Sequence, residues 1–238
     1  MFAAKQIFLG RSAKAAAPTA RSYVQDGLIW QIDGIENAGY GVHDAAAATW
    51  KDLKGSDDLT VTSSGVWSDD GIDNFATAYR IAYRSSFTFD APLTQEVVFH
   101  FKGVPADGQI NNVMLHISQW HSGNSMVRGI HNIRNVFKLK TATTGYAFAR
   151  VFNPVSVAST YDSGGVVSAY KDGESIAFQD MNDNWYYNDA TGVNLGNRSG
   201  NNRGCYIKFY AIRFYNRVLT ENELAANYAI DKERFNLP

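Results

Sequence analysis

The stretch GCYIKFYAIRFYNRVLTENELAANYAIDKERF, residues 204–235, decides the fold. Its first half is strand-like. Ile207, Phe209 and Ala211 alternate with Tyr206, Lys208 and Tyr210, and Ile212 and Phe214 then carry the apolar character onto the other parity. A β-bulge, or a strand apolar on both faces, follows from that switch. The strand stops at Asn216-Arg217. Thr220 with Glu223 three residues later forms a capping box, and Leu219 can staple onto Leu224. Leu224 and Tyr228 then share one face of a helix of about three turns. The expected arrangement is a long strand followed by a locally encoded helix that clamps one end of a sheet structure.

The rest of the chain has strand character. In LIWQID, Leu28, Trp30 and Ile32 alternate with Ile29, Gln31 and Asp33, and in LTQEVVFHFKG, Val97, Phe99 and Phe101 point away from Glu96, Val98, His100 and Lys102. TWKDLKG, DDLTVTS, NVMLHIS, NVFKLK, GYAFARVF and PVSVASTYD repeat the theme at short spacing, and GVVSAYKDGESIAF is a hairpin turning at Lys171-Asp172-Gly173. Many short strands divided by turn signals indicate an all-β sandwich or barrel. No fixed-period repeat or linker divides residues 23–238, which are expected to be one domain.

Composition narrows the function. The chain has 238 residues, 45% hydrophobic and 13% aromatic, enough for a substantial core. The formal net charge of -1, with Lys and Arg dispersed, offers no broad basic field for nucleic acid. No apolar run is long enough to insert in a membrane. The single cysteine, Cys205, rules out an internal disulfide and falls inside the strand run, as a buried structural thiol would. Residues 1–22 are mildly basic and Ala-rich. Lys5, Gln6, Gly10 and Arg11 interrupt any secretory signal, so these residues are expected to be an extended arm docked on its own domain or on a neighbouring subunit. A presequence of mitochondrial type is the alternative.

Three stretches carry a family likeness. DGLIWQIDGIENAGYG with TWKDLKGS, the hairpin VVSAYKDGESIAF, and GVNLGNRSGNNRGCYIKFYAIRFYNRVLTENELAANY resemble the opening strands, the hairpin and the closing strand–helix of concanavalin A-like domains of the laminin-G type. The likeness spans about residues 24–235. It implies a two-sheet antiparallel jelly roll. It implies no single function, because lectins, adhesion modules, hydrolases and accessory domains share the fold.

Catalytic patterns are sparse. Glycan-cleaving relatives of this fold carry an E-x-D-x-E type strand that sets carboxylates on one face. Glu96 stands alone on its strand, Glu221 and Glu223 belong to the helix cap, and Glu174 and Glu36 lie by turns. No nucleophile elbow or phosphate loop occurs. In QDMNDNWYYND, Asp180, Asn182 and Asn184 alternate, with Asp183 and Asp189 nearby. Such oxygen donors can wrap calcium, although the EF-hand Gly and Glu positions hold Trp185 and Thr191, and a polar turn with Asx hydrogen bonds reads equally well. His116 and His121 lack zinc spacing. Aromatic loops fit glycans better. Trp120, His121 and Asn124 in SQWHSGNS, and Trp185, Tyr186 and Tyr187 in NDNWYYND, combine ring faces with polar partners; rings that fill the core or face a subunit are the alternative. Three functions remain: a non-catalytic recognition or structural module of a larger assembly, such as a phage virion or bacterial surface particle, joined to other subunits through the arm; a free carbohydrate-binding lectin; and a glycoside hydrolase.

Overall fold

The computed structural model describes residues 16–76, 80–84, 94–103, 112–113, 115–117, 129–133, 136–140, 145–148, 153–161, 167–176, 193–196 and 206–238. Their strands are β1 (Leu28–Asp33), β2 (Thr49–Trp50), β3 (Leu59–Val61), β4 (Val66–Ser68), β5 (Gly71–Asp73), β6 (Ala82–Arg84), β7 (Thr94–Gly103), β8 (Asn112–Val113) and β9 (Leu115–Ile117). They continue with β10 (Gly129–Ile133), β11 (Val136–Lys140), β12 (Gly145–Phe148), β13 (Val155–Tyr161), β14 (Val167–Lys171), β15 (Glu174–Ile176), β16 (Val193–Leu195) and β17 (Tyr206–Tyr215), and one helix, α1 (Glu221–Phe235), closes the chain.

All strand pairs are antiparallel. The larger sheet runs β15-β14-β13-β7-β17-β5-β4, with β1 also on β17. β17 pairs along its length with β7; its other edge takes β5 at Lys208 and Phe209 and β1 from Ala211 to Tyr215. A five-stranded sheet, β2-β3-β6-β16-β9, faces it, and β12-β11-β10-β8 form a further sheet. The core lies between the first two: Trp30, Ile32, Val97, Phe99, Phe101, Ile207, Phe209, Ile212 and Phe214 from one side meet Trp50, Leu59, Ala82, Val193 and Leu195 from the other. The expected all-β antiparallel sandwich with a short C-terminal helix is what the chain forms.

The parity switch in β17 is a bulge. Register shifts between Phe209 and Ala211, so Ile207 and Phe209 and then Ile212 and Phe214 all reach the core. Ala211, expected beside Ile207 and Phe209, is instead outside with Val98, Tyr210 and Phe235. A second shift between Leu28 and Trp30 turns Leu28 outward as well, away from Trp30 and Ile32. The β14–β15 hairpin turns at Asp172 and Gly173, with φ of 53° and 79°, the pair of positive values that a two-residue type I′ loop needs. A Cβ on Gly173 would stand 3.0 Å from Tyr228 Cβ, so glycine there also lets the hairpin tip meet α1.

The capping box forms as expected, Thr220 Oγ1 accepting from Glu223 N–H and the Glu223 carboxylate from Thr220 N–H. The helix is longer than three turns, with 15 residues, and it lies on the outer face of the larger sheet rather than over one end of the sandwich. Its buried stripe is Leu224, Asn227, Asp231 and Phe235. Leu224 packs with Leu28, Ala158, Tyr170, Tyr215 and Leu219, while Phe235 packs with Val98, Tyr210 and Ala211. Two polar residues fill the middle of the stripe because the sheet beneath presents charge there.

Candidate functional site

That charge is Arg213, on the outer side of β17 and fully buried. Its Nε donates to Glu96 Oε2 at 2.8 Å, and its two terminal nitrogens grip Asp231 at 2.8 and 2.7 Å. Asn227 donates to Glu96 (2.9 Å) and to the Tyr215 hydroxyl (3.0 Å), and Ser156 Oγ donates to Asp231 (3.0 Å). Tyr23 completes the set. Its hydroxyl donates to Asp231 at 2.8 Å while its ring lies under the guanidinium, 4.0 Å away. Burial raises the Glu96 pKa against the pull of Arg213. Burial alone would depress Arg213, but Asp231 and Glu96 hold it well above its ordinary value. Burial, followed by the Asp231 charge, puts Tyr23 well above the usual phenol range.

Glu96 is therefore not isolated, as expected from its strand, but one of two carboxylates sharing a cation. The pair cannot act as glycosidase acids. Glu96 is 2% exposed and Asp231 0%, with the helix above them, whereas such acids must reach both sides of a scissile bond. The network joins helix to sheet. The sequence signals were a Glu and an Arg inside apolar strands and an Asn and an Asp on the helix's inward stripe.

A second network seats the N-terminal segment. Asp33 Oδ1 accepts from the N–H groups of Ile35 and Glu36 and from Arg234 Nη2 at 2.8 Å, while burial still raises its pKa. Glu36 accepts from Ala20 N–H (2.7 Å), Arg234 and Gly41 N–H; Ala20 O accepts from Gln31, and Pro18 O from Arg234. Residues 18–24 are thus bound to their own domain.

The recognition residues read from the sequence, Trp120, His121, Asn124, Trp185, Tyr186 and Tyr187, lie outside the described residues, as do Asp180, Asn182 and Asn184 and the thiol of Cys205. Their attachment points are described. Val193, which opens β16, pairs with Ile117, which ends β9, and with Arg84, which ends β6. The stretches 118–128 and 177–192, which contain the two aromatic motifs, therefore join the five-stranded sheet at adjacent residues of one edge row. The loop 51–58 between β2 and β3 borders the same row. Arg84 pairs with Asp57 at 2.7 Å and donates to Ser56 O and Asp58 O, Lys51 pairs with Asp58 at 2.6 Å, and Asp52 accepts from the N–H groups of Gln31, Lys54 and Asp57. Burial raises the Asp52 pKa despite those donors. Among the described residues no group of three or more His, Cys, Asp or Glu is arranged to hold a metal.

The three described tryptophans are structural. Trp30 and Trp50 are core residues whose indole N–H groups donate to Asp57 O and Asp33 O, and Trp67 lies edge-on to Trp50 at 5.2 Å and donates to Ala47 O.

No family model matches the chain, and no curated protein matches its sequence. Solved structures do match its fold. Trypanosoma rangeli sialidase, as its covalent intermediate with 2,3-difluorosialic acid, aligns over 92% of this chain and 34% of its own, at TM-score 0.64 and 16% identity. The receptor-binding domain of botulinum neurotoxin type G aligns over 87% of this chain and 52% of its own, at TM-score 0.60 and 12% identity. This chain spans about a third of the sialidase and about half of the toxin domain. At such identities the likeness shows a shared β-rich sandwich fold.

Proposed function

We propose that this chain is a non-catalytic recognition module of the concanavalin A-like, laminin-G-like kind, which binds glycans through aromatic loops at one end of its five-stranded sheet. The observation that supports the reading is the pairing of Ile117 with Val193, the described residues that directly precede the segment of Trp120 and directly follow that of Trp185. Ring faces from Trp120, Trp185, Tyr186 and Tyr187 would stack on sugar C–H faces, with His121 and Asn124 bonding hydroxyls. Asp180, Asn182 and Asn184 would offer oxygen donors to calcium beside them. The fold shared with a toxin domain whose name is receptor-binding supports recognition, and the burial of Glu96 and Asp231 supports a role without bond cleavage. The module would sit in a larger assembly, a virion or cell-surface particle, with residues 1–17 meeting other subunits.

The test is a glycan array with wild type, Trp120→Ala and Trp185→Ala. Wild type binds, and each substitution weakens binding about tenfold or more, the loss of one stacked ring. Failure of wild type to bind any glycan overturns the reading. So does release of reducing ends from a polysaccharide that a single carboxylate substitution abolishes, which would make the chain a glycoside hydrolase.

A further inference from the structure

The outward face of the five-stranded sheet carries a polar row that the loop motifs do not include. Register places Thr49, Thr60, Tyr83, Asn194 and His116 directly opposite one another across β2, β3, β6, β16 and β9. The alternate residues Trp50, Leu59, Ala82, Val193 and Leu195 are core, so Thr49, Thr60, Tyr83 and Asn194 point away from it. Thr60 is exposed, and Thr49, Tyr83 and Asn194 are half-buried.

Arg80 lies over the row. Its guanidinium carbon is 4.0 Å from the centre of the Tyr83 ring, and its Nη1 donates to Asn194 Oδ1 at 3.1 Å. Arg84, Arg213, Arg217 and Arg234 each pair with a carboxylate; Arg80 pairs with none among the described residues. No residue of the row is acidic. A guanidinium stacked on an aromatic face and tied by an amide has already lost most of its side-chain freedom, and its remaining N–H groups match the fork of a carboxylate. The row spans about 19 Å across four strand spacings, room for several sugar rings whose hydroxyls Thr49, Thr60 and Asn194 can meet.

We propose that this face binds a saccharide bearing carboxylates, of the hexuronate class, with Arg80 receiving the carboxylate. The proposal rests on the glycan-recognition reading above and specifies its ligand. The test is titration of wild type, Arg80→Gln and Thr60→Glu with a hexuronate oligosaccharide and with the neutral hexose oligosaccharide of the same linkage. Thr60→Glu places a carboxylate beside Tyr83, on whose ring Arg80 stacks, from an exposed position that tolerates the change. The expected result is hexuronate affinity reduced about tenfold or more in both variants, the value of one charge-assisted bidentate contact, with melting temperatures at the wild-type value. Hexuronate affinity unchanged in both variants overturns the proposal. Wild type that binds neutral glycans and not hexuronates overturns the proposal and leaves the recognition module standing, while binding to neither class removes both.

Discussion

Glu223 holds three partners at the head of α1. It accepts from Thr220 N–H and from the Thr220 hydroxyl, and it pairs with Arg217 at 2.5 Å. Chiefly through the Arg217 hydrogen bonds, its pKa is lowered to about 2. A carboxyl lowered in the folded state contributes stability above its unfolded value, near 4.3, and the contribution is lost as pH falls towards 2. Glu223→Gln should therefore lower the urea midpoint at pH 7 by the equivalent of about 1 kcal/mol or less, given the partial exposure of both partners. The gap to wild type should close between pH 4 and pH 2, and denaturation curves across that range check it. Asp33 and Glu96 have the opposite sign. Burial raises them, so what they contribute is present below the ordinary carboxylate range and lost as pH rises through their folded values.

The helix is held by two apolar contacts with an ionic one between them. Burying Leu224 alone contributes about 2 kcal/mol. The Arg213 network adds orientation more than net energy, since desolvating its charges offsets much of their attraction. Removing one member is another matter. Arg213→Met leaves Glu96 and Asp231 buried without their cation, and a loss of about 3–5 kcal/mol is expected in urea unfolding. The triple variant Arg213→Met, Glu96→Gln, Asp231→Asn should recover part of that loss, because no charge is left stranded. A triple variant less stable than the single one would mean that the network contributes in some other way. The capping box of this element is legible in the chain because it involves residues three positions apart, whereas its left-handed Asn236 cap was seen only in the structure. The identity of its floor is not, because Glu96 and Arg213 are 117 residues apart.

Over the whole molecule, the first described residues close the structure. Tyr23 bonds Asp231, Val24 N–H donates to Asn227 at 3.0 Å, and Ala20 and Pro18 are held by Glu36, Gln31 and Arg234. The expected arm of residues 1–22 is thus built into its own domain from Pro18 onward. Deletion of residues 1–24 should reduce the melting temperature by about 10 °C or more, since it strips partners from several fully buried polar groups. Deletion of residues 1–17 spares these contacts and should leave the melting temperature close to that of the full chain. Equal melting temperatures for the two truncations would show that the N-terminal segment is not a closing element. If the module joins an assembly through residues 1–17, the shorter deletion should also fail to incorporate, read by co-sedimentation with the particle.

What the sequence determined by itself is local: alternation in β1 and β7, the Asp172-Gly173 turn, the parity switch of β17 and the N-terminal capping box of α1, each written within a few residues. Short strands such as β4, β5 and β6 were harder to see, because three residues carry too little periodicity to separate them from turns. Tertiary structure alone decided where α1 lies, which face Ala211 and Leu28 take after the bulges, and that Glu96 meets Arg213. It also aligned Ile117, Arg84 and Val193, and set Arg80 on Tyr83 beside Asn194. The physical reason is range. Hydrogen bonds of turns and caps are satisfied within one segment, whereas a buried charge and a cross-strand row find their partners only when distant segments are brought into register.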